Sequence, residues 1–243
     1  MTESTRNSIN TLYKVFSKYP LNPNMKASPL YSKLDIEEWN KEISHKPLQE
    51  LHGDELSFLA FKVGYTWGNI IDYKHFLPRF FELIAKYNEG LIQSFIVFNK
   101  LKYFDWENWP QEEFDAILDF INSLWIQIIN DETQTAKFEE IFSSIIKLHP
   151  FKDWLLQQWL DAKSNSAIYQ FCNFIYFNSP VIVRKNQISS FQEYNKNSSE
   201  IEKLFIDWAK IKMKHKLETT IHRIQNEALK NDTKETLEIL NKC

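Results

Sequence analysis

The sequence predicts an all-α protein, built as an irregular, helical-repeat-like stack of roughly ten helices. The chain of 243 residues has only four glycines, whereas β-architectures use glycine freely in tight turns and bulges. Apolar residues recur with the 3.6-residue period of amphipathic helices through most of the chain. Between these periodic runs lie Pro, Asp, Asn and Ser, the residues that end one helix or begin the next.

Length and composition predict one helical domain over residues 1–243, with a weak boundary near residues 178–199, where the periodicity fades. Hydrophobic residues make up 43% of the chain and aromatic residues 15%. A globule of this size buries about 70–75% of the surface of its unfolded chain, so its core needs no disulfide or metal. The two cysteines, Cys172 and Cys243, form no disulfide framework, and the aromatic run around Cys172 predicts a buried core position.

Charge and targeting patterns favour a cytoplasmic protein. The net charge is −3 and the sequence pI is near 6.1, so no global field attracts nucleic acid or an anionic membrane. The N-terminal segment lacks the basic-then-apolar pattern of a signal peptide. No run approaches 18 apolar residues, which argues against a membrane partner. The oligomeric state is left open.

In the first half of the chain, capping residues and prolines set the predicted helix boundaries. The predicted helices are residues 4–18, 35–45, 54–63, 77–88 and 90–103. Asp35 and Asp54 are the expected N-caps of the second and third. Asp72 is expected to cap a short turn before the fourth, since Pro78 lacks an N–H and suits a first helical turn.

The clearest helix begins at Pro110, where Glu112 and Glu113 favour the positive end of the helix dipole. Gln127 is expected on its solvent face. Its predicted buried stripe is Phe114, Ile117, Leu118, Ile121, Leu124, Trp125 and Ile128. The next predicted helix begins at Thr133 or Thr135 and ends at Lys147. The later ones are residues 150–162, 166–177 and 199–230, with a short tail helix after Asp232. Residues 181–183 are predicted as a strand or an extended link, and residues 195–199 as a loop.

The most distinctive stretch runs from Trp67 to Arg79 and holds one candidate binding site. Asp72, His75 and Arg79 place a carboxylate, an imidazole and a guanidinium close together in sequence. Such groups bind anions or transfer protons. In the alternative, structural interpretation, Asp72 caps a helix, His75 and Arg79 bond to loop carbonyls around Trp67, and Trp67 packs beneath them.

The sequence gives only weak evidence for a metal site or for a catalytic nucleophile. Glu42 with His45, and Asp72 with His75, have the carboxylate-x-x-His spacing of helical di-iron sites. Neither pair lies on a long predicted core helix, and the additional carboxylates such sites need are not evident. No nucleophile elbow is present, and nothing activates Cys172. We therefore predict no catalytic residue, no metal and no cofactor.

Two further features suit binding surfaces, each with a structural alternative. Trp106 and Trp109 lie at a helix connection, where exposed aromatic residues anchor partners; the alternative is that both staple the start of the next helix. A basic segment could contact phosphates, but interspersed carboxylates favour a solvated helix face. Its basic residues are Lys210, Lys212, Lys214, His215, Lys216, His222 and Arg223.

Three stretches together resemble an uncharacterised bacterial all-helical family. They are Leu56–Lys62, the segment Thr66–Arg79 and the Pro110 helix ending at Leu124 and Trp125. The second carries the family's signature, TWG-x-x-x-D-[YF]-[KR]-HFLPR, and the likeness covers residues 54–130. The resemblance implies a bacterial, helical, cytosolic protein and assigns no activity.

Two function classes follow. The first is a non-enzymatic binding protein with a protein partner, for example an immunity protein that neutralises a toxin by covering it. The second is an enzyme, or an anion- or nucleotide-binding protein, with its site around Asp72, His75 and Arg79. The geometry of those three side chains distinguishes the two classes: they either converge on an open pocket or bond to backbone groups.

Overall fold

Helices account for 77% of the structure, which confirms the predicted all-α class. The structure, a computed structural model, describes residues 1–87, 92–131, 133, 135–192 and 199–242. Over those ranges there is no β-strand; two isolated bridges pair Ala27 and Val63 with Trp67. In the same part of the chain, no helix combines the length and the apolarity needed to cross a membrane.

The chain folds into two compact units, Met1–Leu124 and Trp125–Cys243. The dividing point lies inside a long helix rather than near residues 178–199, where the sequence pattern placed a weak boundary. The prediction of one domain stays a prediction.

In the first unit, α1 packs on α4, and α3 packs on α4 and α5. The helices are α1 (Glu3–Phe16), α2 (Lys33–Ser44), α3 (Gly53–Lys62), α4 (Ile70–Ala85), α5 (Ser94–Tyr103) and α6 (Gln111–Ile129), which continues into the second unit. Large rings fill the core. Phe81 of α4 stacks on Phe120 of α6 at a centroid distance of 4.4 Å, and both are fully buried. Burial of such rings is the main source of stability in this unit.

In the second unit, α9 packs along α13 and against α7. The helices are α7 (Thr135–Leu148), α8 (Lys152–Asp161), α9 (Asn165–Lys185), α10 (Ser189–Gln192), α11 (Ser199–Trp208), α12 (Lys214–Thr220) and α13 (Glu227–Lys242). A π-helical turn, Ala209–Met213, joins α11 to α12. Buried rings fill the core, and four of them have neighbouring centroids 5.1–5.5 Å apart: Phe142, Trp159, Phe174 and Phe205.

Pro78 and Pro180 lie inside helices, and this finding corrects two predictions. Pro78 lies within α4, so no separate turn precedes a helix at residue 77. Pro180 lies within α9, so the strand or extended link predicted at residues 181–183 is wrong. A proline removes one helical hydrogen bond and crowds the preceding turn. Burial of neighbours such as Phe80 and Ile182 offsets that cost, because each packs into its unit's core.

The N-caps also differ from the predicted ones. Ser32 caps α2, His52 caps α3 and Asn69 caps α4. In each case the predicted aspartate lies two or three residues later, inside the first turn, where its charge still favours the helix dipole. The sequence contains several capping residues at each helix start, and only the local backbone decides which of them caps.

The Pro110 helix is predicted correctly at five of the seven stripe positions. Phe114 and Leu118 are only half-buried, whereas the other five residues of the stripe are buried. Gln127 is also only 4% exposed. The expectation that Gln127 faces solvent is therefore wrong, since core surrounds this part of the helix on more than one side. Cys172 is buried as predicted, and burial raises the pKa of its thiol to about 11. Cys243 and residues 195–198 of the predicted loop lie outside the described residues, as does the predicted start of the fifth helix at residue 90.

Candidate functional site

The loop before α4 has a backbone that requires glycine at two positions, one just before the distinctive motif and one within it. Gly64 and Gly68 have φ angles of +79° and +67°. A Cβ at Gly64 would lie 2.1 Å from Cζ of Phe104, and one at Gly68 would lie 2.9 Å from Oδ2 of Asp72. Both positions combine a left-handed backbone with close packing, so the shape of the loop depends on these glycines.

Asp72 is used by the fold. Its Oδ2 accepts a hydrogen bond from the backbone N–H of Asn69 at 2.8 Å, and its Oδ1 accepts one from Nδ2 of Asn22 at 3.1 Å. Asn69 in turn accepts from the N–H of Ile71 at 2.7 Å. Asn69 and Asp72 thus form a reciprocal capping box at the start of α4. The Asp72 side chain is buried by these contacts.

His75 and Arg79 bind backbone carbonyls of other segments. Nδ1 of His75 donates to the carbonyl of Tyr19 at 2.8 Å, because a carbonyl oxygen only accepts. Burial lowers the pKa of His75 below its usual value. Nε of Arg79 donates to the carbonyl of Leu51 at 2.8 Å, and its Nη1 donates to Oε2 of Glu82 at 2.7 Å. The carbonyls are those of Tyr19 and Leu51 rather than of the loop around Trp67.

Trp67 packs against residues of α2 and α3. Its Nε1 donates to Oδ1 of the buried Asn40 at 3.1 Å. Its ring contacts those of Trp39 and Phe58, at centroid distances of 5.5 and 6.2 Å. Trp67 therefore anchors α2 and α3 to the loop, and its expected place beneath His75 and Arg79 stays a prediction. The motif is a structural junction at which each side chain holds a different element.

A buried ionic cluster in the same motif was not anticipated from the sequence. Lys74 donates to Oε2 of Glu113 at 2.6 Å, and Tyr19 donates to Oε1 of Glu113 at 2.6 Å. Nζ of Lys18 lies 2.8 Å from the same Oε1. Burial opposes ionisation of Glu113, but the hydrogen bonds from Lys18, Lys74 and Tyr19 outweigh it and hold its pKa below the usual value. Polar residues near the start of a helix are usually exposed to solvent, so the sequence alone does not reveal such a buried cluster.

Trp106 and Trp109 are both buried at the start of α6. Trp106 stacks on Phe114 with a centroid distance of 4.9 Å. Nε1 of Trp109 donates to the carbonyl of Phe104 at 2.9 Å, and Nζ of Lys74 lies 3.9 Å from the centroid of its ring. These contacts fit the interpretation that both tryptophans staple the following helix, and they leave neither ring available as an exposed anchor.

The two carboxylate-x-x-His pairs do not form metal sites in the structure. Nδ1 of His45 contacts the backbone carbonyl of Glu42, and its Nε2 lies 3.3 Å from Glu55. Across the residues that the structure describes, no group of three or more His, Cys, Asp or Glu side chains is placed to hold a metal ion. Asp72 and His75 bind protein groups instead.

A patch of exposed aromatic residues on the first unit was missed. We call the aromatic face the set of four exposed residues Phe58, Phe61, Tyr65 and Tyr103, together with the half-buried Tyr31. The rings of Tyr65 and Tyr103 are 4.8 Å apart, and both are more than half exposed. Phe61 is 61% exposed. In the sequence, Phe58, Phe61 and Tyr65 have the spacing of a helical core stripe. Only the structure therefore distinguishes these exposed aromatic residues from buried ones.

The basic segment of the second unit divides between two environments. Lys212, His215, Lys216 and Arg223 line an open cleft, together with Lys163 from the link before α9. We call this feature the basic cleft. Lys214 instead lies 3.9 Å from Glu218 on the solvated face of α12. The expectation of a solvated helix face therefore describes only part of the segment, and four of its seven basic residues line the cleft.

The fold and these surfaces define an all-α protein of two helical units whose distinctive motif is part of its framework. No family model, no curated protein and no solved structure matches the chain. The resemblance to a bacterial helical family stays a prediction, and the functional argument rests on the surfaces of the chain itself.

Proposed function

We propose that this chain is a non-enzymatic binding protein of the bacterial cytoplasm, and that a partner protein docks on the aromatic face of its first unit. The observations that carry the proposal are the exposure of three large rings of that face and the contact between two of them, Tyr65 and Tyr103. Phe61, Tyr65 and Tyr103 are all more than half exposed. Contiguous exposed aromatic surface is typical of interaction sites, and Tyr in particular is enriched among the residues that dominate binding energy.

The rings are held in place before any partner binds. The ammonium of Lys62 lies 4.7 Å from the ring centroid of Tyr31 and 4.9 Å from that of Phe58. It also donates to the Tyr31 hydroxyl at 2.7 Å. Behind Tyr65, the buried ammonium of Lys100 lies 3.5 Å from the ring centroid. Side chains fixed in this way lose little conformational entropy on binding, which favours affinity.

The surroundings of the rings indicate the chemistry of the partner. Leu30 and Leu34 flank Tyr31 in sequence and are among the most exposed apolar residues of the unit. The half-buried ammonium of Lys62 lies among the rings. A complementary surface therefore presents apolar pockets for the rings and leucines, and a carboxylate for Lys62.

The second function class needs Asp72, His75 and Arg79 to be available to a ligand. Asp72 and Arg79 are instead buried, and both bond to groups of the chain. Their engagement supports the view that function lies on another surface. An enzyme or nucleotide site built on these three side chains would require breaking contacts that hold α4 in place.

The experiment is affinity capture from the native cytosol, with the product of the adjacent gene tagged. The same capture is run with Phe61→Ser and with Phe177→Ser in the chain. Phe177 lies on α9 of the second unit and is 67% exposed, so it matches Phe61 in type and exposure. We expect stoichiometric capture of the unaltered chain and of the Phe177 variant, and loss of capture for the Phe61 variant. Equal capture of all three, or no stoichiometric complex, contradicts the proposal.

The narrower role of a toxin-neutralising immunity protein is tested on the same partner. We expect expression of the partner alone to stop growth, and expression together with this chain to restore it. The Phe61→Ser variant is expected to restore growth less well than the Phe177→Ser variant. A partner that is harmless when expressed alone removes the immunity role and leaves the binding role standing.

A further inference from the structure

The basic cleft has the size of a small-molecule site. It is lined by the end of α8, the start of α9, the π-helical turn, α12 and the turn that follows. Its volume is about 910 Å³, within the range of about 300–1,000 Å³ that is usual for clefts that bind small molecules. The lining belongs entirely to the second unit, so the cleft is separate from the aromatic face.

Positive charge is concentrated in the cleft. Four cationic side chains line it against the single carboxylate of Asp161: Lys163, Lys212, Lys216 and Arg223. His215 also lines the cleft. Asp161 already accepts a hydrogen bond from Nε2 of Gln157 at 2.9 Å. In a chain whose net charge is −3, such a local excess of cations creates a field that attracts anions.

The cations have two different roles. Lys216 donates to the carbonyls of Leu160 and Ala162 at 2.6 and 2.5 Å, so it binds the last carbonyls of α8 and fixes the wall of the cleft. Within the described ranges, the charged ends of Lys163, Lys212 and Arg223 make no ion pair and no hydrogen bond to the chain. Three cations around one cleft are thus available to a ligand.

Polar and apolar groups complete the lining. Asn165 is the first residue of the 21-residue α9, whose N-terminal end carries partial positive charge. Thr219 and Thr220 also line the cleft and donate their hydroxyl hydrogens to the carbonyls of His215 and Lys216, while Ile168 and Ile224 supply an apolar surface. Cations alone suit any polyanion, but the two isoleucines also suit an apolar moiety next to the anionic group.

We propose that the basic cleft binds a small phosphorylated molecule with an apolar body, of the size of a nucleoside phosphate. The phosphate lies against Lys212 and Arg223, near the start of α9, and the body lies against Ile168 and Ile224. Guanidinium and ammonium groups bind phosphate through charge-assisted hydrogen bonds. This site goes beyond the proposed protein partner and does not depend on it.

Isothermal titration calorimetry of the full chain at low ionic strength tests the site, with ATP, inorganic triphosphate and adenosine as probes. We expect saturable one-site binding of ATP, weaker binding of triphosphate and no binding of adenosine. The double variant Lys212→Gln/Arg223→Gln is expected to weaken ATP binding roughly tenfold or more. The matched control is Arg184→Gln/Lys185→Gln, which removes the same charge from the far end of α9.

The control separates a site from general charge attraction. Equal weakening by both double variants, or no saturable binding of either ATP or triphosphate, overturns the proposal. Binding of a single-stranded oligonucleotide by a chain that binds neither probe also overturns it, because the ligand is then a nucleic acid. Thermal melts of both variants check folding; since Lys212 and Arg223 are exposed, each is expected to melt within a few degrees of the parent.

Discussion

Lys74 and Glu113 form a buried ion pair, with 2.6 Å between Nζ of Lys74 and Oε2 of Glu113. The pair joins the middle of the distinctive motif on α4 to the first turn of α6. Removing one partner of such a pair leaves an uncompensated charge in the interior. The ion pair therefore makes the motif's lysine part of the framework of the first unit.

The variant Glu113→Gln tests the pair. We expect the free energy of unfolding to fall by about 3–5 kcal/mol, because Lys74 keeps its charge and loses its counter-ion. Glu112→Gln is the matched control, since the Glu112 side chain is 62% exposed; it is expected to cost less than about 0.5 kcal/mol. Urea denaturation of both variants measures the difference, and similar midpoints would show that the pair contributes nothing.

Asp72→Ala and Arg79→Ala test the structural role of the motif. Each is expected to lower stability by about 1–3 kcal/mol, because a helix cap is lost in one case and the carbonyl of Leu51 loses its donor in the other. Thermal melts against the parent measure the effect. Asp54→Ala and Arg184→Ala replace exposed residues of the same types and serve as controls. If both motif variants melt at or above the parent temperature, the motif is held ready for a ligand and not for the fold.

A matched pair of isoleucines on α6 tests the core. Ile121 is fully buried, and Ile126 is 38% exposed. Ile121→Ala is expected to cost about 2–5 kcal/mol, through lost transfer free energy and the cavity that remains. Ile126→Ala is expected to cost clearly less, since its side chain already contacts solvent. Equal unfolding free energies for the two variants would mean that the helix has a different rotational phase.

His149 is expected to make the second unit sensitive to acid. Its Nδ1 accepts from the N–H of Phe151 at 2.9 Å, and its ring stacks on Trp154. Burial and the nearby charge of Lys152 lower its pKa to about 4, against an ordinary value of 6.5. Between pH 4 and pH 6.5, His149 is protonated in the unfolded chain and neutral in the folded chain. The contribution of His149 is therefore complete above pH 6.5 and is lost as the pH falls to 4, by up to about 3 kcal/mol.

The variant His149→Asn isolates this contribution, because its amide oxygen can accept from Phe151 but does not titrate. We expect unfolding free energies, measured between pH 7 and pH 4.5, to fall less steeply for the variant than for the parent. His75, whose pKa is also lowered by burial, remains in both proteins and cancels in the comparison. Parallel curves would show that His149 does not titrate in this range.

Sequence reasoning predicted most of the helices but not their continuity through proline. The apolar period located α6 and its buried Ile121, since spacing along one helix is a local property. It failed at Pro78 and Pro180 because the penalty of an internal proline is local, whereas the burial that offsets it comes from distant elements. The prediction that Gln127 faces solvent was wrong for the same reason, since packing on additional faces of α6 depends on neighbours far along the chain.

By itself, the sequence determined the helical class and the buried state of Cys172, and it left a structural and a functional alternative for Asp72, His75 and Arg79. Each depends on composition, period or local capping chemistry. Only the tertiary structure decided that Lys74 meets Glu113, that Phe61 and Tyr103 face outward, and that Lys163 joins Arg223 around a cleft. Those relationships join residues from separate segments, and one-dimensional patterns contain no information on which faces meet. Whether a residue is exposed, buried or paired with another residue is therefore a property of the packed chain.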